Sequence, residues 1–89
     1  MTHRQITIRN KLGLHARAAA KLVSCASRFL SDVTLARDGQ RVNGKSIMGV
    51  MMLAASQGST IEIEVSGEDE AEALAAIEQL INDRFGEEQ

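Results

Sequence analysis

The stretch that most constrains the fold is residues 61–65, in which apolar and acidic residues alternate without a break. Successive side chains of a β-strand point to opposite faces, so this strand buries its isoleucines and valine and exposes Glu62 and Glu64. Antiparallel sheets commonly have one buried and one solvated face. The pattern predicts a one-sided sheet covered by other elements, and we assign the two glutamates to the solvated face with no acid–base role.

Residues 4–9 and 32–37 also alternate between polar and apolar residues, which is typical of half-buried strands, and residues 40–43 are interpreted as a short return strand. Between the last two lies Asp38-Gly39, a strong signal for a two-residue hairpin loop. Helical spacing of apolar residues predicts three helices between and after these strands. The first runs from Ala16 to about Leu30. The second opens at Lys45-Ser46 and is closed by Gln57-Gly58, and the third opens within residues 66–69 and stops at Gly86.

The resulting order is β-α-β-β-α-β-α. Strands with one polar face, combined with amphipathic helices, predict the α+β class. We expect an open-faced two-layer sandwich in which a four-stranded antiparallel sheet is covered on one side by three helices. We find no linker or repeat, so residues 1–89 are interpreted as one domain and residues 87–89 as a frayed tail.

Composition excludes several function classes. The net charge is −2 and the only aromatic residues are Phe29 and Phe85, which argues against nucleic-acid binding. Cys25 is the single cysteine and is expected to be a small buried residue, which fits a reducing cytoplasm. The N-terminus has no signal-peptide pattern and no apolar run is long enough for a membrane span, so we expect a cytoplasmic protein without membrane insertion.

No cofactor or metal is expected. The glycines are isolated and form no nucleotide-binding loop. His3 and His15 are the two histidines, and without a suitably spaced third ligand they do not make a zinc site. We expect His3 to be a solvated residue near the N-terminus.

The candidate reactive segment is residues 13–19, in which His15 follows Gly13-Leu14 and precedes an alanine-rich helix. The first N–H groups of a helix lack internal partners and, together with the helix dipole, attract anions. Arg17 adds a permanent charge with a planar fork of donors that suits phosphate. A nucleophilic imidazole beside an anion site favours phosphoryl chemistry, although a histidine that merely flanks a helix is the simpler alternative.

Two segments carry a family resemblance. Residues 10–17 (NKLGLHAR) are similar to the active-site signature of the HPr family, the small histidine phosphocarriers of the bacterial phosphoenolpyruvate-dependent phosphotransferase system. Residues 43–51 (NGKSIMGVM) resemble the regulatory serine segment of that family, and the spacing between the segments also matches. The family usually has proline where this chain has Ala18, so we expect the site to lose stiffness while keeping its helix.

The resemblance implies the same open-faced sandwich and a specific relay. Phosphorylated enzyme I donates its phosphoryl group to His15, on Nδ1 in the family, and His15 passes the group to an EIIA-type protein. The backbone N–H groups of Ala16 and Arg17, with the Arg17 guanidinium, are expected to hold the phosphoryl oxygens. Ser46 is the expected regulatory phosphorylation site if the host has an HPr serine kinase/phosphatase. Such a protein is a carrier rather than an enzyme with its own turnover, and we expect a monomer.

The second helix has apolar residues on nearly every side. We assign Val50 and Leu53 to the core and Ile47, Met48 and Met51 to an exposed docking patch beside His15. Methionine side chains repack easily, which suits a surface that must fit several partners.

Two other function classes stay open. A regulatory interaction domain of the same fold could act by protein binding alone, although the intact His15 and Arg17 argue against it. A ferredoxin-like nucleic-acid or ligand module is disfavoured by the low aromatic content and slight negative charge. The sequence does not choose between a sugar-uptake and a nitrogen-related branch of the phosphotransferase system.

Overall fold

The computed structural model describes residues 1–88 and has the predicted element order. The strands are β1 (Thr2–Thr7), β2 (Asp32–Arg37), β3 (Gln40–Asn43) and β4 (Thr60–Ser66). The helices are α1 (Ala16–Ser27), α2 (Ile47–Met52) and α3 (Glu70–Asn82), and a 3₁₀ turn at Arg84–Gly86 follows α3.

The four strands form one antiparallel sheet in the order β1-β4-β2-β3. In the central strand β4, Ile61, Ile63 and Val65 are buried, while both glutamates between them are partly exposed, as the alternation predicts. Ile63 pairs with Arg4 of β1 on one side and with Leu35 of β2 on the other. The predicted α+β class and the four-stranded sheet with three helices are confirmed.

The Asp38-Gly39 hairpin is also confirmed. Asp38 and Gly39 have φ angles of 51° and 83°, and Arg37 pairs with Gln40 on either side of the loop. Positive φ at both central residues matches the right-handed twist of the flanking strands.

The first helix ends earlier than predicted, at Ser27 instead of Leu30. The backbone N–H groups of Leu30 and Ser31 donate to the carboxylate of Asp69, at 2.9 and 3.0 Å. These bonds draw the chain out of the helix toward β2 and leave the Leu30 side chain 80% exposed. The error arose because a contact across 38 or 39 positions leaves no local signal.

The second helix is shorter than predicted, because it ends at Met52 and does not continue to Gln57-Gly58. Ala54 adopts a left-handed conformation with φ of 51°, which ends helical geometry. The first strand is likewise shifted, to Thr2–Thr7 instead of 4–9, and α3 begins at Glu70. Among residues 1–88, no helix is long and apolar enough to cross a membrane.

One core fills the space between the sheet and the helices. It contains Phe85, Leu22, Val50 and Leu53, all nearly inaccessible to solvent, and Cys25 is buried as a free thiol. The predicted burial of Val50, Leu53 and Cys25 is therefore confirmed. Helix α1 contacts both α2 and α3, and the candidate site is found at its N-terminus.

Candidate functional site

The loop before α1 fixes the position of His15. The Leu14 N–H donates to the carbonyl of Ala55, at 2.9 Å, and the Leu14 side chain is buried. Gly13 has a φ of 68°, and a Cβ at this position would lie 2.5 Å from the Ala55 oxygen. Only glycine accommodates both the left-handed conformation and this close approach. The turn at Gly13 thus brings the loop against the segment that follows α2.

His15 is the N-cap of α1. Its backbone is extended, with ψ of 177°, its carbonyl accepts the N–H of Ala19 at 2.8 Å, and its side chain does not cap the helix. No acceptor within residues 1–88 bonds the N–H groups of Ala16, Arg17 and Ala18. With the positive end of the helix dipole, these free donors make the N-terminus attractive to an anion.

An open cleft of about 670 Å³ lies over this helix end. Its lining residues come from the loop, the first turn of α1 and the C-terminal segment: Lys11, Leu12, His15, Ala16, Arg17 and Glu87. The Arg17 side chain is exposed and forms no ion pair with any described residue. Two cations and the helix N-terminus therefore border a cleft that contains one imidazole.

Glu87 is the residue of this site that the sequence interpretation missed. Its Oε2 lies 2.6 Å from Nε2 of His15, and its Oε1 accepts a hydrogen bond from Nδ2 of Asn10 at 3.1 Å. The prediction of a frayed tail is wrong at Glu87, since its side chain is only 17% exposed. Gln89 lies outside the described residues. The sequence did contain one signal that this segment is held against the fold. Phe85 lies just beyond the end of α3, and its large aromatic side chain had to be buried.

The turn after α3 brings Glu87 to the site. Arg84, Phe85 and Gly86 all have positive φ, at 56°, 55° and 78°. The Phe85 side chain is buried in the core, and its carbonyl accepts a hydrogen bond from Nζ of Lys21 in α1 at 2.6 Å. The buried Phe85 side chain and the hydrogen bond to the Phe85 carbonyl therefore hold the C-terminal segment in place before it reaches His15.

Several influences act on the Glu87 carboxyl. Burial alone raises its pKa, but hydrogen bonds from His15 and Asn10 and the charges of His15 and Lys21 outweigh burial. The net result is a pKa below the usual value, so Glu87 is ionised at neutral pH. A carboxylate that is kept ionised accepts hydrogen bonds and donates none.

Helix α2 presents the predicted apolar surface. Ile47, Met48 and Met51 are 43%, 76% and 41% exposed, so the predicted exposure of these three residues, here called the α2 patch, is confirmed. The Met52 and Leu12 side chains are also exposed, and the sequence interpretation did not include them. Ser46 is the N-cap of α2, and its Oγ accepts the Gly49 N–H at 3.1 Å.

On the solvated face of the sheet, His3 lies near two carboxylates. Potential ligand atoms of His3, Glu62 and Glu64 lie within 4.8 Å of one another, so a third ligand exists that the sequence interpretation did not pair with His3. Both oxygens of Glu64 already accept hydrogen bonds from the Arg41 guanidinium, at 2.7 and 2.6 Å. A metal ion would have to displace this bidentate ion pair, which makes the group a poor cation site.

Fold and site together define a class of protein: a small α+β protein with a histidine at an anion-attracting helix N-terminus. Residues 2–83 match the family model described as "PTS HPr component phosphorylation site". The chain belongs to the HPr family of phosphocarrier proteins of the phosphotransferase system.

Individual relatives match nearly the whole chain. The chain is 53% identical over 88 residues to phosphocarrier protein HPr of Xylella fastidiosa (strain Temecula1), covering 99% of each. It is 58% identical over 87 residues to that of Cupriavidus necator, covering 98% of each. The crystal structure of HPr-C-His from Thermoanaerobacter tengcongensis superposes with a TM-score of 0.96 at 47% identity, covering 100% of both chains. A structure described as an HPr dimer from the same organism has a TM-score of 0.79 at 47% identity, covering 98% of this chain and 100% of that one, so the expected monomer stays a prediction.

Proposed function

We propose that this protein accepts a phosphoryl group from phosphorylated enzyme I on His15 and passes it to an EIIA-type acceptor in the cytoplasm. The observation that carries the proposal is His15 at the N-cap of α1, beside the exposed Arg17 and N–H groups for which residues 1–88 provide no acceptor. A neutral imidazole is a good nucleophile near neutral pH. The surrounding donors suit the oxygens of a phosphoryl group in transit.

Transfer requires little covalent chemistry from the protein. A ring nitrogen of His15 attacks phosphorus in line with the departing nitrogen of the donor histidine, and the electron pair of the broken P–N bond returns to the donor. The N–H groups of Ala16 and Arg17, with the Arg17 guanidinium, stabilise the equatorial oxygens. Because a P–N bond replaces a P–N bond, the step is reversible, and the group can move on to the acceptor.

The α2 patch is the proposed docking surface for both partners. Exposed apolar side chains at Met48 and Met51 support this assignment, since methionine adapts to different partner surfaces. The segment after α2 is hydrogen-bonded to the loop that carries His15, through Leu14 and Ala55. A partner seated on the patch therefore lies next to the loop of the reactive histidine.

Ser46 is the proposed regulatory site, in a host that has the serine kinase. Its hydroxyl caps α2, and the exposed Ile47 and Met48 follow it directly. Phosphate adds about −1.5 to −2 charges at neutral pH. That charge would lie at the edge of the apolar docking surface and oppose its desolvation by a partner.

The decisive experiment uses labelled phosphoenolpyruvate with purified enzyme I. The parent protein should take up label that is lost in acid and kept in base, and His15→Ala should take up none while keeping its circular dichroism spectrum. His3→Ala is the matched control, since it removes the other histidine from an exposed position on β1, and it should be labelled normally. Label on folded His15→Ala protein would end the proposal. No label on the parent would leave the interaction-domain alternative.

A further inference from the structure

Each oxygen of the Glu87 carboxylate has its own donor. Oε2 faces Nε2 of His15 at 2.6 Å, and Oε1 accepts from Nδ2 of Asn10 at 3.1 Å. Asn10 is fully buried, and its Nδ2 also donates to the Gly13 carbonyl at 2.8 Å. One buried amide thus links the loop before His15 to the carboxylate that holds the imidazole.

The path of the chain to Glu87 is conformationally costly. Arg84 and Phe85 are consecutive non-glycine residues in the left-handed region. Such residues are energetically unfavourable and persist only where surrounding contacts hold the backbone in place. Here the buried Phe85 side chain and the Lys21 hydrogen bond do so, and the strained turn ends at a carboxylate 2.6 Å from the reactive ring.

Because the carboxylate only accepts, Nε2 is the ring atom that carries hydrogen in the neutral imidazole. The lone pair then belongs to Nδ1, which forms no hydrogen bond or ion pair with any of residues 1–88. An oriented carboxylate that fixes the tautomer and direction of an imidazole is the arrangement by which acyl-transfer triads position their histidine.

We propose that Glu87 is a positioning residue for phosphoryl transfer: it holds Nε2–H of His15, orients the ring and leaves Nδ1 as the nucleophile. This role rests on the function proposed above. As the Nδ1–P bond forms, the Nδ1 lone pair becomes the bonding pair and the donor nitrogen recovers the pair of its broken bond. No proton has to leave, since Nε2 keeps its own throughout. The positive charge that develops on the ring lies against the Glu87 carboxylate.

The same contact acts on the return step. A phosphorylated ring that keeps Nε2–H is a better leaving group than one that has lost this proton, because it departs as neutral imidazole. Glu87 should therefore speed both loading from enzyme I and transfer to the acceptor, in contrast to a residue that merely stabilises the phosphorylated form.

The test compares Glu87→Ala with Glu88→Ala, which removes the neighbouring exposed carboxylate. In the first arm, without enzyme I, ¹⁵N NMR of the parent and Glu88→Ala should show a His15 Nε2–H signal protected from solvent exchange. Glu87→Ala should lose that protection while keeping the dispersed spectrum of the fold. In the second arm, single-turnover transfer should slow about 10-fold or more in both directions for Glu87→Ala only, the loss expected for a hydrogen bond to a charged group.

The two arms separate this inference from the proposed function. If the parent is phosphorylated and Glu87→Ala transfers at the same rate, or if its Nε2–H stays protected, the positioning role is wrong and the carrier function stands. If the parent takes up no phosphoryl group, the proposed carrier function is wrong, and so is the positioning role that depends on it. Glu87→Gln sharpens the result, because a rate between those of Glu87→Ala and the parent would separate the effect of charge from that of hydrogen bonding.

Discussion

The two helices nearest the candidate site begin in opposite ways. At the start of α2, the Ser46 hydroxyl accepts the Gly49 N–H at 3.1 Å and closes the helix end. At the start of α1, His15 supplies no such bond, and the first N–H groups stay unpaired among the described residues. A serine cap contributes about 1 kcal/mol to stability. At the start of α1 the chain thus forgoes this stabilisation where a reactive side chain and an anion would meet, although Asp69 at the start of α3 also forms no side-chain cap bond.

This contrast shows how the same local geometry serves two purposes. Both N-cap residues have extended backbone conformations, with ψ of 177° at His15 and 118° at Ser46. The side chain alone decides whether the donors are satisfied internally or kept for a ligand. The predictions below alter one helix start at a time.

The largest effect on transfer is expected at the uncapped N-terminus of α1. Arg17→Ala should slow transfer from enzyme I about 10²–10³-fold, because it removes an oriented donor from a centre where charge develops. Stability should change by less than about 0.5 kcal/mol, since Arg17 is exposed. Single-turnover kinetics and a urea titration measure the two quantities. Arg28→Ala, at the other end of α1, is the control and should transfer normally. An unchanged rate for Arg17→Ala would assign the phosphoryl oxygens to backbone donors alone.

The sequence predicted the elements well because their signals are local. The alternation in residues 61–65, the Asp38-Gly39 hairpin and the alanine-rich start of α1 each depend on neighbouring residues and all are confirmed. The errors fall where distant contacts decide. Asp69 ends α1 from across the molecule, and His15 and Glu87 are 72 positions apart. The need to bury Phe85 indicates that the C-terminal segment packs against the fold, but no pattern in the sequence identifies His15 as the partner of the Glu87 carboxylate.

The next largest effect concerns the α2 patch, which begins at the capped N-terminus of α2. Met48→Asp should weaken binding of enzyme I by roughly 2 kcal/mol, or about 30-fold in Kd, because an interface must desolvate the new charge. Stability should fall little, since Met48 is 76% exposed. Leu30→Asp is the matched control, as Leu30 is equally exposed beyond the end of α1. Isothermal titration calorimetry compares the two. Equal losses of affinity would remove the α2 patch from the docking surface.

The contrast between the caps can be tested directly by exchanging them. Ser46→Ala should reduce stability by about 1 kcal/mol because Gly49 N–H loses its acceptor. At the other helix, His15→Ser should be more stable than His15→Ala by about the same amount, since serine can satisfy a donor that histidine leaves free. Chemical denaturation measures both differences. A His15→Ser protein no more stable than His15→Ala would show that the α1 donors are already satisfied, against the view of an open anion site.

The smallest change in stability is expected for Ser46→Asp. Aspartate keeps an acceptor at the N-cap, and a negative charge at a helix N-terminus stabilises by about 0.3–1 kcal/mol, so the Tm should equal or exceed that of the parent. The consequence should appear in docking, because the charge adjoins Ile47 and Met48, whose exposed side chains must be desolvated when a partner binds.

His15 phosphorylation by enzyme I should therefore slow in Ser46→Asp, and slow further in protein phosphorylated at Ser46, which carries about twice the added charge. Ser46→Asn is the matched control, since asparagine also caps a helix but adds no charge. The rate should follow charge and not stability, in the order parent, Ser46→Asn, Ser46→Asp and phosphoserine. Equal rates for all four would leave Ser46 as a helix cap only, because a charge that never meets the partner cannot regulate transfer.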